Sequence, residues 1–302
     1  LPVSAPEAPA FLGREVCVEA DGVDEIDLPE LQRFFAHPVR HFLRERLGVH
    51  LEENEELLDS HEPFVPNALE AYRLREAQFA GLVAGQSVDE VTALLHARGG
   101  LPQGVAGDLA ARSAHEQVLP LWQSVQPWLA ATRQPDCAVE FAAHGIRLSG
   151  RLDGLTDRGL WRVRHGKLRA KDRLRLWLDH LLLNGAAPAG VPLHSTLIAR
   201  EAHIQLAPEP RARELLADLL ALYRDGLLQA LPFYPETAWA WLEQKNWRRE
   251  WEGDSFNDKP GERDEAYLRL ALRDNLKDPL GAEFQQLASR IFDPLKQKVG
   301  GG

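Results

Sequence analysis

The chain has 302 residues, 44% hydrophobic and 26% charged, which excludes disordered and fibrous classes and leaves enough chain for a sizeable core split into two sub-domains. Its formal net charge of −10, taken alone, argues against a general nucleic-acid binder, because neutralising phosphates needs clustered Lys and Arg. No apolar run approaches the roughly 18 residues of a membrane-spanning helix, and Leu1-Pro2-Val3 lacks the start of a signal peptide, so a soluble, cytoplasmic protein without a membrane partner is expected. The two cysteines, Cys17 and Cys137, are too few for an iron–sulfur cluster or an all-cysteine zinc site and read as plain thiols. The absence of Met points to a piece of a longer polypeptide.

Residues 1–27 are rich in Pro and Ala, then acidic, and read as a linker. A helix is expected from Leu28, with Leu31, Phe34, Phe35, Val39, Phe42, Leu43 and Leu47 at helical spacing, a junction at Pro38 and a stop at Gly48. The acidic stretch 52–62 reads as a solvated loop, and helical periods return over 68–82, 88–96 and 109–129, so that 28–135 forms a helical sub-domain. From Cys137 the pattern changes: 138–142, 146–153 and 160–164 alternate or favour strands and are parted by His144-Gly145 and Asp157-Arg158-Gly159, which predicts an antiparallel meander. A helix over 172–184, strands near 193–199 and 202–206 and a helix over 209–228 complete an α/β core over 136–230. The remainder, 231–302, is expected to be an irregular Trp-rich segment followed by helices over 262–273 and 280–297.

The segment from Arg147 to Arg175 holds ten Lys or Arg against three Asp, a surplus of seven positive charges, so the rest of the chain carries −17. That segregation reads either as steering of a polyanion or as a basic face that meets solvent or a partner subunit. The same segment has the layout of a metal-dependent nuclease core, with an acid at the end of one strand (Asp153), a hairpin, a strand, and a helix. An active core needs an acid and a Lys on the strand before the helix, to hold Mg²⁺ and orient water. Arg162 and Arg164 stand there instead, and a guanidinium carries fixed positive charge and no acceptor. An inactive, basic relic of a nuclease fold is therefore expected.

Other constellations carry less. His37 and His41 lie four residues apart without the Glu of a zincin pattern, and read as surface or capping groups. The glycine-rich turn 99–107 matches neither a Walker loop nor a dinucleotide fingerprint. Trp239, Trp241, Trp247 and Trp251, interleaved with Lys245, Arg248 and Arg249, suit stacking on unpaired bases or, more simply, anchoring of the segment on the core.

The run from Leu31 to Val49 resembles the start of the C-terminal domain of RecC, the gamma subunit of exodeoxyribonuclease V. Further matches follow in order: Glu62-Pro63-Phe64, Gly100-Leu101-Pro102 with Gly104 and Gly107, Arg162-x-Arg164, Leu176-Trp177-Leu178-Asp179-His180-Leu181, Tyr223-Arg224-Asp225-Gly226 leading to Leu231-Pro232, and Arg290 to Leu295. The resemblance implies a restriction-endonuclease-like mixed sheet core without metal ligands, a non-enzymatic role inside the RecBCD helicase–nuclease, RecB and RecD as partners, and duplex or forked DNA beside a strand-parting hairpin. The tips at His144-Gly145 and Thr156–Gly159 are the two candidates for that hairpin. Arg147, Arg151, Arg162, Arg164, Lys167, Arg169, Lys171 and Arg173 are the candidates for phosphate contact, and Asp153, Arg162 and Arg164 form the degenerate nuclease site. No catalytic residue, metal or cofactor is expected. The rivals are a scaffold that never touches DNA, and a live Mg²⁺ nuclease that recruits Asp179 or Asp172.

Overall fold

The computed structural model describes residues 25–51, 68–102, 104–254, 256, 259–272 and 278–299. Most of the expected linker, Cys17, the stretch 52–62 with Glu62-Pro63-Phe64, and the Gly-Gly-Gly end lie outside the described residues. The linker expected through residue 27 gives way to structure at Glu25, where a short strand β1 (Glu25–Asp27) leads directly into α1 (Leu28–Ala36). Asp27 caps that helix by accepting from the Glu30 amide at 2.7 Å. Pro38 opens α2 (Pro38–His41), and a π-helical turn over Phe42–Arg46 follows. Three longer helices come next, α3 (Ala68–Val83), α4 (Val88–Ala97) and α5 (Val105–Leu129).

Two small mixed sheets replace the expected single meander. In the first, β2 (Cys137–Ala143) and β3 (Ile146–Leu152) form an antiparallel hairpin, and β1 adds parallel to the other edge of β3. The second has β4 (Leu155–Thr156), β5 (Gly159–Arg164), β6 (Ser195–Ala199) and β7 (His203–Leu206) in that order, with β5 and β6 parallel. The chain changes sheets at Asp153-Gly154, so β3 and β5 never pair. A parallel pair needs a crossover, and α6 (Ala170–Ala186) supplies it.

This crossover helix is buried along nearly its whole length, including Leu174, Trp177, Leu178, Leu181 and Leu182, because it is covered on more than one side. One side takes the inner face of the first sheet, where Ile26, Val139, Phe141, Ile146, Leu148 and Leu152 alternate inward. Gly150 permits that approach: a Cβ there would lie 2.6 Å from the Leu182 Cδ2 and 3.3 Å from the Leu28 Cβ. Alternation along the second sheet places Leu160 and Leu197 with the α6 core, whereas Trp161, Val163 and Ile198 pack on Phe79, Val118, Leu121 and Val125 of α3 and α5. The stretch expected as one helical sub-domain thus serves two places: α1 and α2 join the main core, and α3–α5 cover the outer face of the second sheet.

The helix α7 (Ala212–Leu228) packs beside α6. The segment expected to be irregular after Leu231 is largely helical, with α8 (Pro235–Leu242) and α9 (Trp247–Glu252), a minimal hairpin of β8 (Gly253–Asp254) and β9 (Lys259–Pro260), then α10 (Ala266–Ala271) and α11 (Ala282–Val299). Aromatic packing overrode the weak local pattern there: Tyr234 lies against Trp251 and Phe284, and Trp239 against Phe292. Among the described residues no helix is long and apolar enough to cross a membrane.

Candidate functional site

Asp153, Arg162 and Arg164 do meet, in one cleft of about 390 Å³ that Gly154, Trp161, Asp172, Arg175, Leu176 and Leu197 also line. The second sheet explains this. Arg162 and Arg164 share the α6 side of β5 with Leu160, and Asp153 sits at the sheet-to-sheet crossing just before β4.

The centre of the site is the Arg162 guanidinium. Its Nε donates to Asp179 Oδ2 at 2.8 Å, its Nη2 lies 3.0 Å from Asp153 Oδ1, and its Nη1 donates to the Asp153 carbonyl at 2.7 Å. Asp179 is 1% exposed in the middle of α6, and its second oxygen accepts from Gln32 Nε2 of α1 at 2.6 Å. Burial pushes the Asp179 carboxyl up, and the guanidinium draws it back towards ionisation. A carboxylate so deep in a core must be paired, and Arg162 is its partner.

Asp179 was missed as a member of the site because Leu176-Trp177-Leu178-Asp179-His180-Leu181 reads as an ordinary helix. The available signal was a lone acid with Leu176, Leu182 and Leu183 as three of its four helical neighbours, which demands a buried cation or donor. It had entered only as a recruit for a live nuclease. Asp172 is engaged as well, accepting from the Arg169 amide at 3.0 Å and lying 3.2 Å from Arg164 Nε.

The eight candidate phosphate contacts divide accordingly. Arg162 and Arg164 are ion-paired within the cleft, and Arg173 is half-buried with its guanidinium 4.6 Å from the Trp239 ring centre. Arg147 and Arg151 lie on the outer face of β3, in another sheet, paired to Glu25 at 2.7 Å and Asp136 at 3.0 Å. Lys167, Arg169 and Lys171 are exposed and form no ion pair among the described residues. Arg175, which sequence reasoning left out of the contact set, is exposed in the same way one turn beyond Lys171 and lines the cleft.

The two hairpin tips also separate. His144 and Gly145 are exposed at the end of β2–β3, whereas Thr156 is buried and Gly159 packs against the His194 carbonyl. Of the four tryptophans, Trp239 and Trp251 are buried anchors, and Trp247 lines a second cavity with Arg248 and Arg263. His37 caps α2 through Nδ1 and meets Glu265 at 2.9 Å, and His41 is buried beside Phe34 and Tyr223. Cys137 is a free thiol. Among the described residues no three His, Cys, Asp or Glu are placed to hold a metal ion. A divalent cation does not fit the cleft, because the Arg162 guanidinium fills the space between its two carboxylates.

Residues 23–246 match the family model of the RecC C-terminal domain. The RecBCD enzyme subunit RecC of Escherichia coli (strain K12) is 28% identical over 224 residues, covering 73% of this chain and 19% of the relative. The subunit of the same name from Mycolicibacterium smegmatis is 26% identical over 232 residues, covering 74% of this chain and 21% of the relative. That of Buchnera aphidicola subsp. Acyrthosiphon pisum is 20% identical over 272 residues, covering 82% of this chain and 25% of the relative. The chain spans about a fifth to a quarter of the length of these relatives. It belongs to the RecC C-terminal domain family.

Proposed function

We propose that the chain is a non-catalytic, nuclease-like module of a RecC subunit, which works in the cytoplasm inside a RecBCD complex that processes broken DNA for recombinational repair. The restriction-endonuclease-like reading is supported by the order of parts: α1, the β2–β3 hairpin, an acid at its end, β5, the crossover helix α6 and a parallel β6. Within that module, 136–230 together with α1 and α2 forms the nuclease-like core, α3–α5 flank it, and the described part of 231–302 closes it. RecB and RecD are the module's partners in that complex, a reading supported by the family match.

The observation that carries the proposal is the division of the basic residues. Arg162 satisfies Asp153 and Asp179 and so replaces metal chemistry. Lys167, Arg169, Lys171 and Arg175 stay exposed beside it and form no ion pair among the described residues. Long, unpaired cations are the groups that displace counterions from a phosphate backbone. The exposed His144-Gly145 tip is the better of the two candidates for contact at a fork. One observation favours a scaffold without DNA contact, namely that Arg147, Arg151, Arg162 and Arg164 already pair with acids of this chain.

Photo-crosslinking separates these readings. With a crosslinker at Lys167 or Lys171 in the assembled complex, a forked DNA is expected to be captured, and capture of RecB or RecD alone would establish the scaffold.

A further inference from the structure

Every hydrogen-bond or ion-pair partner of the Arg162 guanidinium among the described residues is an oxygen: Asp179 Oδ2, Asp153 Oδ1, the Asp153 carbonyl and, at 3.3 Å, the Trp161 carbonyl. Two carboxylates and two carbonyls are the donor set that a hard divalent cation takes, completed by water. Asp179 is fixed from behind by Gln32, and Asp153, with its side chain 71% exposed, is free to adjust. The backbone is shaped around the guanidinium as well. Gly154 has φ +67°, and a Cβ there would lie 2.7 Å from Arg162 Nη1 and 2.8 Å from the Trp161 carbonyl.

We propose that Arg162 is a resident cation: its guanidinium closes an all-oxygen divalent-cation site, and a chain that loses it binds one hard divalent cation between Asp153 and Asp179. With Arg162 in place the carboxylate pair keeps a positive partner at every Mg²⁺ concentration, so the cleft holds its shape and charge with or without metal. A tethered charge cannot dissociate, whereas Mg²⁺ held by two carboxylates exchanges with solvent. The inference rests on the non-catalytic reading of the cleft and goes beyond it by naming what the cleft was closed against.

The test is a Mn²⁺ titration of the 302-residue chain, followed by electron paramagnetic resonance and by thermal unfolding. Wild type is expected to bind no stoichiometric Mn²⁺ and to unfold at the same temperature with metal or chelator. Arg162→Ala is expected to bind one Mn²⁺ and to gain unfolding temperature with it, and adding Asp153→Asn should abolish both effects. Arg162→Gln, which retains a donor for Asp179, provides the same readout where the alanine variant does not fold. Failure of both single variants to bind Mn²⁺, or binding that survives Asp153→Asn, overturns the proposal. Cleavage of DNA by the wild-type chain in Mg²⁺ would instead overturn the non-catalytic reading, and it leaves the titration of the variants to be judged separately.

Discussion

His180 shows how one buried group ties stability to pH. It is fully buried on α6, with Nδ1 2.9 Å from Ser195 Oγ, and burial holds its imidazole down to about 4. Below the ordinary histidine value of about 6.5 the unfolded chain takes up a proton that the native ring refuses. The stability it contributes is therefore complete above about pH 6.5 and is lost as pH falls, with the loss finished near pH 4 and amounting to about 3 kcal/mol. Denaturant unfolding at a series of pH values should show this slope in wild type and its absence in His180→Gln, and parallel profiles would refute it. The residue scale is also where the sequence was most legible for the site. Asp153, Arg162 and Arg164 were grouped from strand order and residue chemistry alone, and they share a cleft. Asp179 was not placed there, because its partner comes from another strand and Gln32 from another helix, and tertiary pairing of this kind leaves no local period to read.

At the scale of elements, helices with a strong apolar stripe were readable to within a few residues, as α1, α7 and α11 illustrate. The strands were located, and β2 and β3 pair as the expected hairpin, but β3 and β5 lie in different sheets rather than side by side. Alternation predicts a strand and its inner face but carries no information on which neighbour it joins, and the two-residue step at Asp153-Gly154 moves the chain to a new sheet. The tryptophan segment failed for the opposite reason: its helices are only eight and six residues long, too short for a period to show; α8 is held by aromatic contacts with α11, and α9 by Trp251 against Tyr234. The contact between the first sheet and α6 gives a direct check on the architecture. Gly150→Val forces side-chain atoms between Leu182 and Leu28, so a loss of about 1–3 kcal/mol is expected, measured as a lower urea midpoint at unchanged slope. An unchanged midpoint would contradict the close approach of β3 to α6 at Gly150.

For the whole molecule, a formal charge of −10 conceals a segment with a surplus of seven positive charges inside a remainder of −17. The ten basic residues of that segment divide: Arg162 and Arg164 sit in a closed network, Arg147 and Arg151 in surface pairs on β3, Arg173 lies over Trp239, Arg158 is exposed in the β4–β5 turn, and Lys167, Arg169, Lys171 and Arg175 form an exposed set beside the cleft. That last set can meet a phosphate backbone without first giving up an ion-pair partner among the described residues, and this is the account's central claim. The most direct measurement is the salt dependence of fork binding by the assembled RecBCD-type complex, with those four residues replaced together by alanine. Each lost phosphate contact removes about 0.9 from the log–log slope, so a flattening of about 3 to 4 together with weaker binding is predicted. Unchanged affinity with an unchanged slope would contradict the claim and leave the basic face as a contact for protein.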